Sequence, residues 1–325
     1  MKNYTIKKYE PEDLEGWNNF ISKAKNATFL FNRNFIDYHQ KRYEDYSIIV
    51  LVNKKWVAVL PANRVKDKLY SHQGLTYGGL VFPEKTTMQK AMSIFEAMLV
   101  YLRDNKIETL QIKIIPSIYC NYFSDEMSYM LFLCKAKLWR RDFLSVIDLT
   151  KPYSLSKDRK QCVRRGIRNH LIIKEDLNFE LFWNTILIPN LQKKHNVKPV
   201  HSLEEIILLH RLFPNNIRHF NVFHGDRIVA GTTVFITDSV AHPQYISGND
   251  QKNELGSLDY LYNFLINDVF KDKNFFDFGT SGEENGLKIN EGLLFWKESF
   301  GARTIVQDYY EVETANAGLL QNVFI

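Results

Sequence analysis

The residues best suited to chemistry lie close together in FFDFGTSGEENGLKINEGLLFWKESFGAR, positions 275–303. This stretch joins an apolar strand pattern containing Asp277, a loop of glycines and acidic residues, and a helical pattern with Lys297 among aromatic residues. A strand, a loop and a helix in this order often present a ligand site at the carboxyl end of the strand. A lysine on an apolar face can be desolvated over a reacting carbonyl, or it can extend its ammonium to solvent. The stretch predicts Lys297 and Asp277 as candidate catalytic residues.

A second group of candidates is the basic segment DRKQCVRRGIRNHLIIK. Its Arg164, Arg165 and Arg168 crowd one short helical pattern, together with Arg159 and Lys160. Arginines four positions apart share a helix face, where their repulsion is relieved by a bound anion or a nearby acid. The segment therefore predicts a phosphate-binding surface, and the alternative is a solvated basic face.

A glycine and a serine, Gly256 and Ser257, follow a strand and open a helix. Free backbone N–H groups at such a turn form an anion site. The alternative is a simple serine cap of the helix. The segment SHQGLTYGGL offers Tyr77 and glycine backbone to line a cleft, or else it is a strand broken by glycines.

Several other kinds of site are not indicated. The nine histidines, His201 and His242 among them, show no HExxH or other metal spacing, and a lone histidine is usually structural or on the surface. The sequence also contains no G-x-S-x-G elbow and no Walker loop. We expect no metal cofactor.

The composition is that of a globular protein large enough for two domains, because 325 residues include 45% apolar and 24% charged side chains. The net charge of +5 fits a partner that carries phosphates without requiring one. The N-terminus lacks the apolar core of a signal peptide, and no apolar run reaches the roughly 18 residues that span a bilayer. Three widely separated cysteines predict reduced thiols. We therefore expect a cytoplasmic protein with no membrane span.

The elements that must position these residues occur in the same order in both halves of the chain. Each half reads as strand, two helices, three strands, helix, strand, helix, strand, although the residues of the halves do not match. In the second half, Ser202 and Glu205 form a capping box at one helix start. The polar segment KPYSLSKDRK between the halves predicts a domain boundary, which we place between residues 153 and 154.

This order is similar to the acyltransferase fold of the GNAT superfamily, and two copies in tandem resemble the FemABX-type transferases. Three segments carry the resemblance: the basic segment, LGSLDYLYNFLI, and FDFG…GL..FWKESFG, which resembles the family ending YDFGG…FK..FG. The resemblance implies an α/β (mixed α+β) chain of two GNAT-like domains, 1–153 and 154–325. Each domain is expected to be a mixed central sheet flanked by helices, and the second to carry the catalytic motifs.

The resemblance also implies a reaction, the attack of an amine on an activated acyl group. Family members take the acyl group from acyl-coenzyme A or from an aminoacyl-tRNA, and their acceptors include nucleotide-linked sugars and cell-wall precursors. The Gly256–Ser257 turn is where the superfamily holds the coenzyme A pyrophosphate, and the basic segment is near where acceptor phosphates bind. Lys297 falls at the family's functional lysine.

Two departures from the family pattern keep three hypotheses open. The superfamily motif Q/R-x-x-G-x-G/A is met here by QKNELGS, which retains only the last glycine, and Trp296 stands where many GNAT enzymes have an acidic tyrosine. The first hypothesis is an N-acyltransferase that uses acyl-coenzyme A, such as acetyl-coenzyme A, and acts on a sugar or cell-envelope precursor in polysaccharide biosynthesis. The second is an aminoacyl-tRNA-dependent transferase, and the third is a non-catalytic module that binds a nucleotide-linked sugar.

Overall fold

The computed structural model describes residues 4–39 and 42–325, which group into two compact units. The first unit comprises Met1–Asp142 and Val306–Ile325, and the second comprises Phe143–Ile305. This grouping departs from the expected order at the C-terminal end, because the final segment packs with the first unit. The division into domains at residue 153 remains a prediction.

The regular elements are as follows. The strands are β1 (Tyr4–Lys8), β2 (Glu44–Asp45), β3 (Ile48–Val52), β4 (Lys55–Leu60), β5 (Asn63–Val65), β6 (Lys68–Tyr70), β7 (Thr109–Lys113), β8 (Lys137–Asp148), β9 (Ile172–Glu175), β10 (Ile217–His224), β11 (Arg227–Ile236), β12 (Val240–Gly248), β13 (Phe275–Thr280), β14 (Gly282–Glu283), β15 (Lys288–Ile289) and β16 (Arg303–Glu313). The helices are α1 (Leu14–Ile21), α2 (Arg33–Ile36), α3 (Met88–Asp104), α4 (Glu126–Leu133), α5 (Lys157–Arg168), α6 (Phe179–Phe182), α7 (Ile188–His195), α8 (Leu203–Leu212), α9 (Lys252–Leu255), α10 (Ser257–Phe264) and α11 (Glu291–Glu298). No helix in the described part of the chain has both the length and the apolar character needed to cross a membrane.

The first unit contains a three-stranded sheet, β1-β3-β4, and a sheet in the order β2-β5-β6-β7-β16. The β6–β7 ladder is parallel, whereas β5–β6 and β7–β16 are antiparallel, so this sheet is mixed. Helix α3 packs on the core because Ala91, Phe95, Met98 and Leu102 recur at helical spacing and are fully buried.

The second unit is built on a sheet in the order β8-β13-β12-β11-β10-β9. Its β12–β13 ladder is parallel, and the ladders on either side of it are antiparallel. Helix α10 buries Leu261 and Tyr262 in the hydrophobic core of this unit. Both units therefore have the mixed sheets flanked by helices that the sequence predicts.

The sequence predicts most of these elements but not the short ones. The capping box at Ser202 and Glu205 forms as expected and opens α8. Strands β2, β5 and β6 were not predicted, and neither was the β14–β15 hairpin, which lies in the predicted loop of glycines and acidic residues. These strands have only two or three residues, which is too few to show the alternation that identifies a strand from sequence.

Strand β16 completes the first unit. It pairs antiparallel with β7 from Tyr309–Lys113 to Glu313–Thr109. In addition, Val312 of this ladder and the later residues Ala317 and Leu320 are buried in the same core as α3. The first unit thus depends on residues near the end of the sequence for both a strand and part of its core.

A matched pair of substitutions in β16 tests this dependence. Val312 is 0% exposed and Val306 is 49% exposed, so we expect Val312→Asp to lower the free energy of unfolding by about 3 kcal/mol or more, because it buries an unpaired charge. Val306→Asp is expected to change it by less than about 0.5 kcal/mol. Urea denaturation followed by circular dichroism measures both. Equal effects would contradict the core position of β16.

Candidate active site

The candidate site forms where β12 and β13 stop pairing. Their parallel ladder consists of Val240–Phe275 and Ala241–Phe276, and both strands continue past it. On its other side, β13 pairs with β8 through Asp277–Val146 and then Thr280–Leu144. Between these two pairs, β13 has one more residue than β8, so β13 contains a β-bulge. Bulges commonly redirect side chains beside active sites.

Asp277 and Gly279 shape the bulge. The Gly279 N–H donates to Asp277 Oδ1 at 2.7 Å, and Asp277 is 1% exposed. Gly279 has φ of +71°, and a Cβ atom there would lie 3.1 Å from Cε1 of His242. Glycine is needed here because a side chain would be strained and would press on the imidazole.

His242 is the first residue of β12 beyond the ladder, and its ring is held in one tautomer. Nδ1 lies 2.9 Å from the backbone carbonyl oxygen of Asp277, and 3.5 Å from Asp277 Oδ2. A carbonyl oxygen only accepts, so Nδ1 carries the hydrogen and the neutral ring keeps its lone pair on Nε2. The side chain remains 17% exposed. His242 therefore combines a fixed ring with an available basic nitrogen.

Lys297 lies on the other side of the bulge. Its Nζ donates to the carbonyl oxygens of Gly279 at 3.0 Å and Thr280 at 2.6 Å, and the residue is only 2% exposed. Burial lowers the pKa of Lys297 to about 8, and the nearby Asp277 carboxylate opposes this shift. An ammonium has three N–H donors, so one remains after the two carbonyls are bound.

The helix that carries Lys297 is fixed by its neighbour Trp296. The indole Nε1 donates to Asp259 Oδ1 of α10 at 2.8 Å, and the same carboxylate forms an ion pair with Arg159 of α5. The indole also packs edge-to-face against Tyr262, with ring centroids 5.1 Å apart. Trp296, which lacks the hydroxyl of the GNAT tyrosine, thus connects α5, α10 and α11.

Polar atoms with no protein partner occur on the segments around the bulge. Gln244 Oε1 lies on β12, two residues after His242, where Gln244 is the extra residue of a second β-bulge between Pro243 and Tyr245. Ser281 Oγ follows β13, and Ser145 Oγ lies on β8 between the residues that pair with Thr280 and Asp277. Buried polar atoms are normally hydrogen-bonded, so each of these atoms would be satisfied by a water molecule or by a polar group of a ligand.

The Gly256–Ser257 turn is buried beneath α5. A Cβ atom at Gly256 would lie 2.3 Å from the Cys162 carbonyl oxygen, and one at Gly166 would lie 2.5 Å from Cβ of Tyr260. The two glycines therefore allow α5 to pack directly against the start of α10. Because α5 covers this turn, its predicted role in binding a cofactor remains a prediction.

The three predicted arginines of α5 have different surroundings. Arg165 is half-buried and donates to the Asn253 carbonyl oxygen. Arg164 and Arg168 are exposed and form no side-chain hydrogen bond or ion pair with the described residues. Lys157 and Lys160 are exposed at the preceding turns, so α5 presents a row of cations with i, i+3, i+7 and i+11 spacing.

Tyr77 belongs to the first unit and is a core residue there. It is 2% exposed, its hydroxyl lies 3.0 Å from Thr28 Oγ1, and its ring packs against Phe31 and Tyr119. Its predicted contact with a substrate remains a prediction.

Of the predicted residues, the structure brings together Asp277 and Lys297, on either side of Gly279. His242 joins them, although sequence reasoning treated it as an isolated histidine. No local signal in VAHPQYIS distinguishes His242, because its place at the end of the parallel pair comes from a contact with distant β13.

Comparison with known proteins supports the architecture. No protein-family model and no curated sequence matches the chain. Among solved structures, it is similar to FemX, with a TM-score of 0.66 and 8% identity over 98% of this chain and 99% of that one. It is also similar to L-PGS from Bacillus licheniformis, with a TM-score of 0.59 and 9% identity over 96% of this chain and 93% of that one. A third similar structure is the C-terminal domain of a protein described as a lysylphosphatidylglycerol synthetase from Agrobacterium fabrum, with a TM-score of 0.60 and 12% identity over 95% of this chain and 93% of that one. The predicted FemABX-type, GNAT-like fold is thereby confirmed.

The buried ammonium of Lys297 makes stability depend on alkaline pH. Between about pH 8 and 10.5 the unfolded chain keeps the proton that the folded chain has lost, so the free energy of unfolding should rise with pH. We expect this rise to be about 3 kcal/mol larger in the wild type than in Lys297→Met, because Lys113, whose pKa burial also lowers to about 8, contributes equally to both proteins. Urea titrations at several pH values measure it, and Lys288→Met, at a surface lysine, is the control. Parallel curves for the wild type and Lys297→Met would contradict a lowered pKa.

Proposed function

We propose that the chain is an acyltransferase, in which an amine attacks an activated acyl group at the β13 bulge. The observation that carries this proposal is the Lys297 ammonium, held by the Gly279 and Thr280 carbonyl oxygens with one N–H donor remaining. The FemABX-type fold supports the same class of reaction, since the family transfers acyl and aminoacyl groups.

The remaining N–H of Lys297 is suited to the oxygen of the acyl carbonyl. Attack by an amine turns this oxygen into an oxyanion, and a preoriented donor in a site sheltered from water stabilises it strongly. The site is sheltered because Lys297 and Asp277 are almost completely buried. Lys297 would therefore act mainly on the transition state and contribute little to substrate binding.

His242 is suited to receive the proton that the amine loses. Its Nε2 carries the lone pair, and the ring adjoins Gly279, whose carbonyl oxygen binds Lys297. The amine nitrogen forms a bond to the acyl carbon, and the bond from this carbon to the donor oxygen or sulfur breaks. The proton lost by the amine passes to His242 Nε2 and is then available to the departing oxygen or sulfur. Asp277, predicted as the proton acceptor, is better suited to orient His242 and shape the bulge, because its carboxylate is buried and accepts from Gly279.

The donor we propose is an aminoacyl-tRNA. The turn expected to hold the coenzyme A pyrophosphate is buried under α5, which disfavours the acyl-coenzyme A donor that the sequence placed first. In contrast, Lys157, Lys160, Arg164 and Arg168 form an exposed row of cations on α5, which suits the phosphate backbone of RNA.

For the acceptor, we propose the amine of a sugar or of another cell-envelope precursor. The proteins of similar fold include one described as a lysylphosphatidylglycerol synthetase, and that name places its product in the lipid envelope. The unpartnered Gln244 Oε1, at the β12 bulge two residues from His242, is an acceptor that could orient an incoming amine.

Kinetics of two variants test the chemistry. We expect Lys297→Met to lower kcat roughly 10²-fold with little change in KM, as for other single oxyanion donors. Wild-type activity should fall as pH rises through about 8, where Lys297 loses its proton. His242→Ala should also lower kcat by roughly 10²-fold, as expected for a lost general base. The half-exposed His224, in the same unit, provides the control His224→Ala.

Steady-state assays with charged tRNA or acetyl-coenzyme A as donor and an amino sugar as acceptor supply these values. If both variants retain wild-type kcat, the proposed chemistry is wrong. A chain that binds a nucleotide-linked sugar tightly but turns over neither donor would instead be the non-catalytic module.

The choice of donor is tested through α5. Arg164→Glu combined with Arg168→Glu should weaken the binding of aminoacyl-tRNA. The slope of the logarithm of the association constant against the logarithm of the salt concentration should decrease in magnitude by about 2. The fold should remain intact because both side chains are exposed. Filter binding at several salt concentrations measures this slope. Arg227→Glu combined with Lys271→Glu, at exposed positions elsewhere in the unit, is the matched control. Saturable binding of acetyl-coenzyme A, with no tRNA binding, would overturn the proposed donor.

A further inference from the structure

The first unit has an exposed aromatic patch far in sequence from the candidate active site. Phe123 is 96% exposed and Phe132 is 74% exposed, and Tyr122 and Tyr129 are about half exposed. Tyr122 and Phe123 form a loop before α4, while Tyr129 and Phe132 stack on one face of α4 with ring centroids 6.4 Å apart. Monomeric proteins rarely expose clustered aromatic residues without a partner. We call these four residues the aromatic patch.

The loop of the aromatic patch is held in place by a buried lysine. The Lys25 carbonyl oxygen accepts from the N–H groups of Asn121 at 2.8 Å and Tyr122 at 3.3 Å. The Lys25 ammonium forms an ion pair with Glu126 at the start of α4, and Lys25 is only 3% exposed. A buried lysine is costly unless it is paired, and here its contacts fix both ends of the loop. Phe123 is therefore presented on an anchored loop.

Exposed lysines occur on the segments that adjoin the aromatic patch. Lys23 precedes Ala24, whose carbonyl oxygen accepts from the Asn121 side chain, and the Lys135 N–H donates to the Phe132 carbonyl oxygen at 3.0 Å. The exposed residues on the adjoining segments also include two further lysines and two acids: Lys85, Lys137, Glu84 and Asp125. Four lysines against two acids leave this surface positive.

From this arrangement we propose that the aromatic patch docks on a bilayer surface that contains anionic lipids. Phenylalanine rings enter the boundary between headgroups and acyl chains, tyrosines remain at headgroup level, and lysines attract anionic lipid. This inference does not depend on the proposed acyl transfer.

The charges favour a lipid surface over a second copy of the chain. A symmetric dimer through this patch would bring two surfaces of the same net positive charge together, and like charges across an interface weaken association. The cations also favour lipid over RNA, because those on the adjoining segments are lysines, which lack the planar, bidentate guanidinium that arginine offers to nucleic acid.

Co-sedimentation of the full chain with vesicles tests the proposal. We expect binding to vesicles of phosphatidylglycerol and phosphatidylcholine, and much weaker binding to phosphatidylcholine alone. Phe123→Ser combined with Phe132→Ser should lower the partition coefficient by at least roughly tenfold. Lys23→Glu combined with Lys135→Glu should lower binding to the anionic vesicles by roughly tenfold or more, because each lysine near such a surface is worth about fivefold.

A control at an exposed leucine outside the aromatic patch keeps the test specific. Leu287 in the second unit is 86% exposed, so Leu287→Ser should leave vesicle binding unchanged. Thermal unfolding checks that the variants remain folded, which their exposure favours. The proposal is overturned if wild type and the phenylalanine variant bind vesicles equally. It is also overturned if sedimentation equilibrium shows a wild-type dimer that the same variant abolishes, or if the patch binds RNA and not vesicles.

Discussion

The site in the second unit depends on keeping one positive charge away from water. An ammonium is strongly hydrated, so burying Lys297 is unfavourable unless oxygen atoms replace the lost water. The β13 bulge supplies those oxygens, because the extra residue turns the Gly279 and Thr280 carbonyls toward Nζ and away from a regular ladder. Asp277 stabilises the bulge and adds a nearby negative charge. Gly279, the bulge and the Asp277 carboxylate therefore act together to stabilise the buried charge of Lys297.

The helices around Lys297 are positioned by a second carboxylate, that of Asp259. It binds Arg159 of α5 and the indole of Trp296, so three helices meet at one side chain. Close packing adds to this, because Gly166 and Gly256 remove the side chains that would hold α5 and α10 apart. The basic helix is thus tied to the same framework that orients Lys297. Its exposed cations and the buried ammonium lie on one connected set of elements.

Features of this arrangement that depend on neighbouring residues could be predicted from the sequence, whereas features that depend on contacts between distant residues could not. The capping box of α8 and the strand that carries Asp277 are local patterns, and both were predicted. His242 was not recognised, because its importance comes from a contact with residue 277, thirty-five positions away in the chain. The burial of Gly256 was also missed, since a glycine after a strand looks the same whether it faces a ligand or another helix. The FemABX resemblance identified the fold through the order of elements, which survives at 8% identity to FemX.

The return of β16 to the first unit has a consequence for how the protein is made. A ribosome releases the chain from its N-terminus, and domains generally fold as they emerge. The second unit is continuous from Phe143 to Ile305 and can be complete before the segment that follows it has been synthesised. The first unit emerges earlier, but it lacks the strand that pairs with β7 and the buried Val312 until β16 has left the ribosome. The unit that is synthesised first is therefore the unit that finishes folding last, and one edge of β7 stays unpaired in the interval.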